Sequence, residues 1–400
     1  MNGAGAGPHN DYRFSEDGSL NRIINAVTCE ERSRHAPRHR SSLMRSLSVI
    51  VPTYNRAEQL AQCLSALRAS TFQDYELIVV DSGSQDDTPR VAGRYADQLI
   101  ALDGVPSQSR TRNAGMAAAH GEIVVNVDSD IVVRPDTLER IAAYFAEHPD
   151  VDGVTGLLAA AHPHPGFFSQ YKNLYMHHMF RTLPARITFL YGSIHAVRRS
   201  AIRMYGEVAA HADDLALGQQ LIAEGRRIAF LRELEVSHLK QYTWRSMLLN
   251  DMRIPADWAR VFVAYRGWRQ LGRQQTGFAH ASSSQLFAVV LAVLMSLVGL
   301  LARFSPAWMV LLAIMALTWL LLIRHLMRFL AGQRGLWFGL LAIPVTFIDH
   351  LVMAAGIAYG LLVALQVSGF KAMRGWRDSS GGQTAWRGIR AAAHETREQP

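Results

Sequence analysis

The chain has 400 residues, a formal net charge of +8 and 49% hydrophobic residues, which are unevenly distributed along it. This length exceeds one α/β domain of ordinary size, so a second part is expected. Beside long apolar blocks, an anionic lipid surface is a better partner for a basic chain than nucleic acid, and we expect no nucleic acid to bind. The two cysteines, Cys29 and Cys63, have neither disulfide nor metal-ligand spacing, which is typical of a reducing compartment.

Both ends of the chain have the composition of tails. Residues 1–45 are rich in Gly, Arg and Ser and contain no apolar stretch long enough for a signal peptide. We expect a disordered cytoplasmic tail at 1–45 and a basic disordered tail at 371–400.

Residues 46–242 are predicted to form an α/β domain. The β-branched runs 47–51, 77–80 and 123–127 predict buried parallel strands, and 99–102 predicts one more. Helical patterns separate these runs at βαβ spacing, which indicates a mostly parallel sheet flanked by helices. Ligands of such sheets bind beyond the carboxyl ends of the strands.

The loop after the first strand is expected to start a helix. Asn55 and Glu58 have the spacing of a capping box, in which Asn55 is the N-cap residue.

Polar residues follow several of the predicted strands. Asp128 and Asp130 lie two apart, so in extended geometry both carboxylates point the same way and suit Mg²⁺ or Mn²⁺. Asp81 is placed to accept a hydrogen bond from a nucleobase, and Arg112 and Asn113 are placed to reach a diphosphate. Taken singly, each of these residues also fits an ordinary surface role.

Four segments occur in a characteristic order: 48–56 (SVIVPTYNR), 81–88 (DSGSQDDT), 112–115 (RNAG) and 127–130 (VDSD). Together they resemble the family-2 glycosyltransferases, inverting enzymes with a GT-A fold, over residues 47 to about 238. The resemblance implies a nucleotide-sugar donor, with UDP as the expected nucleotide because the family mostly uses it.

The resemblance also assigns the donor and metal residues. The nucleotide-sugar site would comprise Pro52, Thr53, Tyr54, Asp81, Arg112, Asn113 and Asp128. Asp130 would be the direct ligand of Mg²⁺ or Mn²⁺, beside Asp128, and His238 would complete the metal site, as a histidine does in part of the GT-A class. Ser82 departs from the family, which usually has a second acidic residue there.

The segment 213–218, followed by Gly225, resembles the motif that holds the catalytic base. Asp213 takes the place of the more usual glutamate, and Asp214 takes the place of the aspartate that accepts the acceptor's proton. Acidic residues in a first helical turn are also favoured by the helix dipole, and the two interpretations are compatible.

Two segments are assigned to the acceptor side. The segment 192–199 resembles the family's small-residue turn, with Gly192 and Ser193 next to the acceptor. The segment 241–245 is similar to the Gln-x-x-Arg-Trp motif of processive synthases, but its last two residues are exchanged. Trp244 is therefore expected to stack on an acceptor sugar or lie against lipid, and the exchange disfavours a processive polymerase.

Residues 285–370 are predicted to form about three transmembrane helices. The blocks 286–302 and 307–323 carry no charge, and a third block, 336–367, is interrupted by Pro344 and by Asp349 and His350. The positive-inside rule places the intervening arginines in the cytoplasm, but one crossing by the third block would leave the basic tail outside. The number of crossings in the third block stays open.

Residues 243–284 are predicted to be an interfacial amphipathic segment, because three tryptophans alternate with arginines there. With the transmembrane prediction, this indicates a multi-pass protein of the inner (plasma) membrane with a cytoplasmic catalytic domain.

The combined hypothesis is a membrane-bound inverting hexosyltransferase that transfers a sugar to a membrane-associated acceptor, such as a lipid, a polyprenyl phosphate or a saccharide. The alternatives are a polysaccharide-extending synthase and a non-catalytic nucleotide-sugar-binding scaffold subunit. A nucleotidyltransferase is disfavoured because residues 52–56 are not a Gly-rich phosphate-binding loop. The sequence leaves the oligomeric state open.

Overall fold

A computed structural model describes residues 46–206, 212–269 and 282–366. The tails expected at 1–45 and 371–400 lie outside the described residues, as does Cys29. Cys63 is a buried free thiol.

The predicted apolar runs form the parallel half of a nine-stranded sheet, with the strand order β3-β2-β1-β4-β8-β6-β9-β5, and β7 paired to β9. The strands are β1 (Leu47–Thr53), β2 (Tyr75–Asp81), β3 (Gln98–Ala101), β4 (Ile123–Val127), β5 (Ile131–Val132), β6 (Gly153–Leu158), β7 (Arg186–Ile187), β8 (Ile194–Arg198) and β9 (Ile228–His238).

The strands from β3 to β4 are parallel, whereas β8 is antiparallel to both of its neighbours, β4 and β6. Strand β6 then pairs with β9 in parallel. This mixed sheet with flanking helices confirms the predicted GT-A type of fold.

Helices cover both faces of the sheet because the central strands are apolar on both faces. In β1, Val49 and Val51 pack with Leu64 in one core cluster, and Ile50 packs with Met116 in the other. The helices of this part are α1 (Ala57–Arg68), α2 (Thr88–Tyr95), α3 (Gln108–Ala118), α4 (Thr137–Glu147), α5 (Phe167–Arg181) and α6 (Asp213–Ala223).

The capping box predicted at Asn55 is wrong. Helix α1 has Arg56 as its N-cap residue, without a side-chain capping bond. Asn55 instead adopts a left-handed conformation with φ of 49°, and its side-chain oxygen accepts a 2.8 Å hydrogen bond from the Gln85 N–H. Asparagine tolerates this backbone better than most residues, which lets it join the loop after β1 to the loop after β2.

Four longer helices follow the sheet: α7 (Trp244–Ala264), α8 (Ser283–Leu301), α9 (Pro306–Arg334) and α10 (Leu336–Gln366). The last three are long and apolar enough to cross a membrane. Helix α10 continues through Pro344, so the third apolar block forms one unbroken helix.

The polar residues of α10 face neighbouring helices. Thr346 Oγ1 lies 2.9 Å from the hydroxyl oxygen of Tyr171 in α5, and the Trp319 indole of α9 donates a 3.2 Å hydrogen bond to His350. Asp349 is fully buried. Ionisable groups within membrane helices commonly face the interior in this way.

Helix α7 occupies half of the predicted interfacial segment and packs along α10, where two glycines allow close approach. A Cβ atom on Gly356 would lie 2.3 Å from the Met252 carbonyl oxygen, and one on Gly360 would lie 2.1 Å from that of Ala256. Residues 270–281 of the predicted segment lie outside the described residues.

Candidate active site

The first part of the site lies at the carboxyl ends of β1 and β2. The Ser84 N–H and hydroxyl both donate to the carboxylate of Asp81, and the Ser82 N–H donates a 3.0 Å bond to the Thr53 carbonyl. Asp81 is buried, but a carboxylate has about four acceptor positions, so acceptor positions remain for the N–H of a nucleobase. Tyr54 is 42% exposed beside this loop, whereas Pro52 is buried. The predicted base-binding residues are thus brought together.

Arg112 is a buried brace between two acidic residues. Its guanidinium donates a 2.6 Å hydrogen bond to Asp213 and a 2.8 Å hydrogen bond to Asp128, and it is 1% exposed. The Tyr205 ring lies under it at 5.4 Å. Burial raises the pKa of Asp128 above its ordinary value, although Arg112 opposes the shift. Arg112 thus joins α3 to the loop after β4 and to α6, and its contact with a diphosphate stays a prediction.

The side chain of Asn113 forms hydrogen bonds with the backbone of another loop. Its amide group donates a 3.0 Å hydrogen bond to the Tyr205 carbonyl and accepts a 2.7 Å bond from the Tyr205 N–H. These two bonds hold Tyr205 in place, and the contact of Asn113 with a diphosphate stays a prediction.

Asp130 and His238 lie side by side because β5 pairs with β9, with Ile131 opposite His238. The imidazole Nε2 lies 3.7 Å from Asp130 Oδ1, and Arg56 donates a 2.9 Å hydrogen bond to Asp130 Oδ2. Burial by itself would raise the pKa of Asp130, but His238 and Arg56 outweigh it, and the pKa lies well below its usual range. Asp130 is therefore ionised at neutral pH.

The candidate metal ligands of the site suit a hard divalent ion only in part. The carboxylates of Asp128 and Asp130 with the His238 nitrogen are ligand types that Mg²⁺ and Mn²⁺ accept. Among residues 46–206, 212–269 and 282–366, however, no group of three or more His, Cys, Asp or Glu residues is arranged to hold a metal ion. Asp130 and His238 thus fit as a partial ligand set, which the diphosphate of a donor and water would have to complete.

Asp214 is held at the start of α6 by the turn that contains Gly192. The Gly192 N–H donates a 2.5 Å hydrogen bond to Oδ2, and the Leu215 N–H donates a 2.8 Å bond to Oδ1. Gly218, one turn further along α6, lets the helix lie against the backbone of Phe189. Burial raises the pKa of Asp214 to about 7, and the negative charge of Asp213 adds to the effect. This carboxylate can therefore accept a proton near neutral pH.

The residues expected on the acceptor side are separated. Gly192 contacts Asp214, and the Ser193 carbonyl accepts a 3.2 Å hydrogen bond from the Asp128 N–H, so both lie in the site. Trp244 packs on Phe168, with 5.3 Å between ring centroids, in a cluster with α9 residues. It thus lies at the contact between the α/β domain and the membrane helices.

Asp214 and His238 both line one cavity of about 370 Å³. The same cavity is lined by residues of α7, α8 and α10, among them Trp258, Val289 and Ile357. The acidic site and the apolar helices thus line the same cavity.

Two residues near the site carry no role in the sequence prediction. Arg56 pairs with Asp130, and Lys240 donates a 3.1 Å hydrogen bond to Asn250 with its ammonium over the Tyr242 ring. Arg56 ends the first motif segment, and Lys240 follows His238 by two positions. The sequence signal that could have identified Arg56 and Lys240 is their position next to residues already assigned to the site.

Comparison with known proteins agrees with this geometry. The family model for glycosyl transferase family 2 matches residues 48–206. The chain is 28% identical over 219 residues to the O-antigen chain rhamnosyltransferase WbaN of Salmonella anatum, covering 50% of this chain and 69% of the relative. It is 34% identical over 112 residues to the poly(ribitol-phosphate) beta-N-acetylglucosaminyltransferase TarS of Staphylococcus aureus, covering 26% of this chain and only 20% of that relative.

Among solved structures, the mannosyltransferase PcManGT from Pyrobaculum calidifontis, in complex with GDP-Man and Mn²⁺, aligns with a TM-score of 0.49 and 19% sequence identity. That alignment covers 82% of this chain and 89% of the mannosyltransferase.

The mixed sheet and the acidic residues at its edge are the features that the sequence motifs predicted for a transferase that uses a nucleotide sugar. Residues 48–206 match the model of glycosyl transferase family 2, the family that these motifs resemble.

Proposed function

We propose that this enzyme transfers a sugar, with inversion, from a UDP-sugar to a hydroxyl group of a membrane-associated acceptor. The observation that supports this proposal is the shared cavity: Asp214 and His238 line it together with residues of α7, α8 and α10. A base candidate, a metal-ligand candidate and candidate membrane helices therefore face the same space.

In the donor half of the site, Tyr54 and Asp81 bind the nucleobase. Asp130 and His238 would hold Mg²⁺ or Mn²⁺, and Asp128 lies two positions before Asp130 in the chain. The ion supplies charge neutralisation of the leaving diphosphate. Because the pKa of Asp130 lies well below its usual range, this carboxylate is charged and ready to bind a cation.

In the acceptor half, Asp214 accepts the proton of the attacking hydroxyl. The acceptor oxygen forms a bond to the anomeric carbon, the bond from that carbon to the diphosphate oxygen breaks, and the nucleoside diphosphate leaves. A base whose pKa lies near the working pH is the most effective in such a step, and the pKa of Asp214 is about 7. The Gly192 N–H keeps the carboxylate in place.

The membrane helices hold the domain next to the acceptor. Lys172 of α5 forms an ion pair with Asp251 of α7, and Tyr171 contacts Thr346 of α10. We propose a multi-pass protein of the inner (plasma) membrane, with the catalytic domain and the arginines Arg324, Arg328 and Arg334 in the cytoplasm.

The test is a donor-binding screen of the detergent-purified full chain with UDP-, GDP- and dTDP-sugars, in Mn²⁺, in Mg²⁺ and in EDTA. We expect one UDP-sugar to bind, with affinity weakened at least roughly tenfold by EDTA and by Asp130→Asn, because a bound divalent ion would neutralise charge on the diphosphate. The control Asp87→Asn removes an exposed carboxylate outside the site and should leave affinity unchanged.

Failure of every donor to bind would contradict the proposal, whereas donor binding without hydrolysis or transfer would favour the non-catalytic nucleotide-sugar-binding scaffold. Once an acceptor is found, a ladder of products with several added sugars would favour a polysaccharide-extending synthase over the single transfer proposed here.

A further inference from the structure

The cavity next to Asp214 has a polar end and an apolar end. Asp214, His238 and Asn173 line it on the side of the α/β domain, whereas Val289 of α8 and Ile357 of α10 line it among the membrane helices. Its volume of about 370 Å³ is within the range of small-molecule sites. An occupant that fills both ends must therefore be amphiphilic.

Asn173 has an unused acceptor at the polar end. Its amide nitrogen donates hydrogen bonds to the carbonyls of Ala159 and Ala160, at 2.8 and 3.3 Å, which fixes the orientation of the amide. Within the described part of the chain its oxygen has no hydrogen-bond partner, although the residue is 2% exposed. A buried acceptor left unpaired is unfavourable, so a hydroxyl group that reached this oxygen would be stabilised by donating a hydrogen bond to it.

Gln285, which also lines the cavity, repeats this pattern. Its amide nitrogen donates to the Tyr175 hydroxyl, and its amide oxygen has no partner among the described residues. The nearby Lys172 is already paired with Asp251. The polar end thus offers acceptors and carboxylates, which match hydroxyl groups and disfavour an ionised phosphate.

We propose that this cavity binds the acceptor as a hydroxylated amphiphile. Its apolar chain lies between α7, α8 and α10, and its hydroxyl-bearing head lies at Asn173 and Gln285, with one hydroxyl next to Asp214. This inference rests on the proposed function, and it narrows the acceptor from any membrane-associated molecule to a lipid whose head consists of hydroxyl groups.

The occupant is tested with a hexadecyl alcohol that carries a photoactivatable diazirine on its chain, added to the full-length protein in phosphatidylcholine nanodiscs. Mass spectrometry of the adducts is expected to find labels on cavity residues such as Trp258, Met353 and Ile357. Labels confined to outward-facing residues such as Leu297 and Leu317 would overturn the proposal.

A matched pair of variants distinguishes labelling inside the cavity from labelling on the outward-facing surface of the helices. Val289 is 5% exposed and lines the cavity, whereas its neighbour Val290 is 53% exposed. Val289→Trp should reduce cavity labelling at least roughly tenfold by filling the chain site, and Val290→Trp should leave it unchanged. Equal labelling in both variants would contradict the proposal. If Val289→Trp fails to fold, the wild-type adduct map still decides the question.

Competition identifies the head group. Unlabelled hexadecyl glucoside should displace the probe from wild-type protein at least roughly tenfold better than hexadecyl phosphate, because hydroxyls satisfy the unpaired acceptors. Displacement by the phosphate at equal or lower concentration would overturn the hydroxylated head. Metal-dependent donor binding, measured on the same samples, reports on the proposed function separately: its presence with labels only outside the cavity refutes this inference alone.

Discussion

The Gly192 N–H and Oδ2 of Asp214 are joined by a 2.5 Å hydrogen bond, so the turn before β8 fixes the carboxylate at the start of α6. A Cβ atom on residue 192 would lie 3.1 Å from this oxygen and 3.2 Å from the Arg112 guanidinium. The absence of a side chain at Gly192 is therefore what allows the backbone to reach the carboxylate.

Gly192→Ala should lower kcat roughly tenfold, because the new methyl group displaces the Asp214 carboxylate by a few tenths of an ångström from its position. Donor affinity should not change, since the residues proposed to bind the nucleobase and the metal are not among the nearest neighbours of a Cβ atom at residue 192. Steady-state kinetics with a saturating donor measures the effect. Gly166→Ala is the matched control, because a Cβ atom there meets nothing within 4 Å. An unchanged kcat for Gly192→Ala would show that the carboxylate position is not critical.

The pH dependence of transfer should report the titration of Asp214. Burial, and then the charge of Asp213, raise the pKa of Asp214 to about 7, so the carboxyl group is increasingly protonated below that pH and cannot accept a proton. The logarithm of kcat should therefore fall with a slope of about one per pH unit below about pH 7.

The variant Asp213→Asn tests whether the charge of Asp213 contributes to the raised pKa of Asp214. Removing the neighbouring charge should move the acidic limb to lower pH, because the ionised form of Asp214 is then less disfavoured. A limb near pH 4 in the unmodified enzyme, the usual range for an aspartate, would contradict the assignment.

Arg112→Gln should destabilise the protein by roughly 3–5 kcal/mol, because it leaves the buried carboxylate of Asp213 without its cation. Thermal unfolding followed by tryptophan fluorescence measures the change. Arg90→Gln is the control: this arginine pairs with Asp87 at the surface, and its loss should hardly shift the midpoint. Equal shifts in the two variants would contradict the role of Arg112 as a buried brace.

Gly360→Val should disrupt the packing of α7 on α10 and cost roughly 1–3 kcal/mol, because its Cβ atom would lie 2.1 Å from the Ala256 carbonyl oxygen. The loss should appear as a lower unfolding midpoint in detergent. Gly332→Val introduces the same residue into α9, where a Cβ atom meets nothing within 4 Å. If both variants unfold at the same temperature, the close contact does not contribute to stability.

The parallel half of the sheet was predictable because its strands are buried on both faces, and such strands appear in the sequence as continuous apolar runs. Residues 47–51, 77–80 and 123–127 are runs of this kind, and they coincide with β1, β2 and β4. The candidate membrane helices were predictable for a related reason, since uncharged apolar blocks of this length rarely occur outside membrane-spanning helices.

The antiparallel half was harder to predict. Residues 194–198 were considered only as part of a turn, but they form β8 between β4 and β6. Their position depends on pairing with distant strands, which local sequence does not reveal. Asn113 illustrates the same limit: its motif resembles a phosphate-binding segment, yet its amide binds the backbone of Tyr205, ninety-two positions away.

The most direct test of the central claim is Asp214→Asn, assayed as transfer of radiolabelled sugar from the identified donor into the lipid extract of membranes. We expect donor affinity equal to that of the unmodified enzyme, since the amide keeps the shape of the carboxylate, and transfer reduced roughly 10²–10⁴-fold, because the amide cannot accept the proton. Asp87→Asn should transfer normally. Full transfer by Asp214→Asn would contradict the role of Asp214, because it would show that another group, or none, acts as the base.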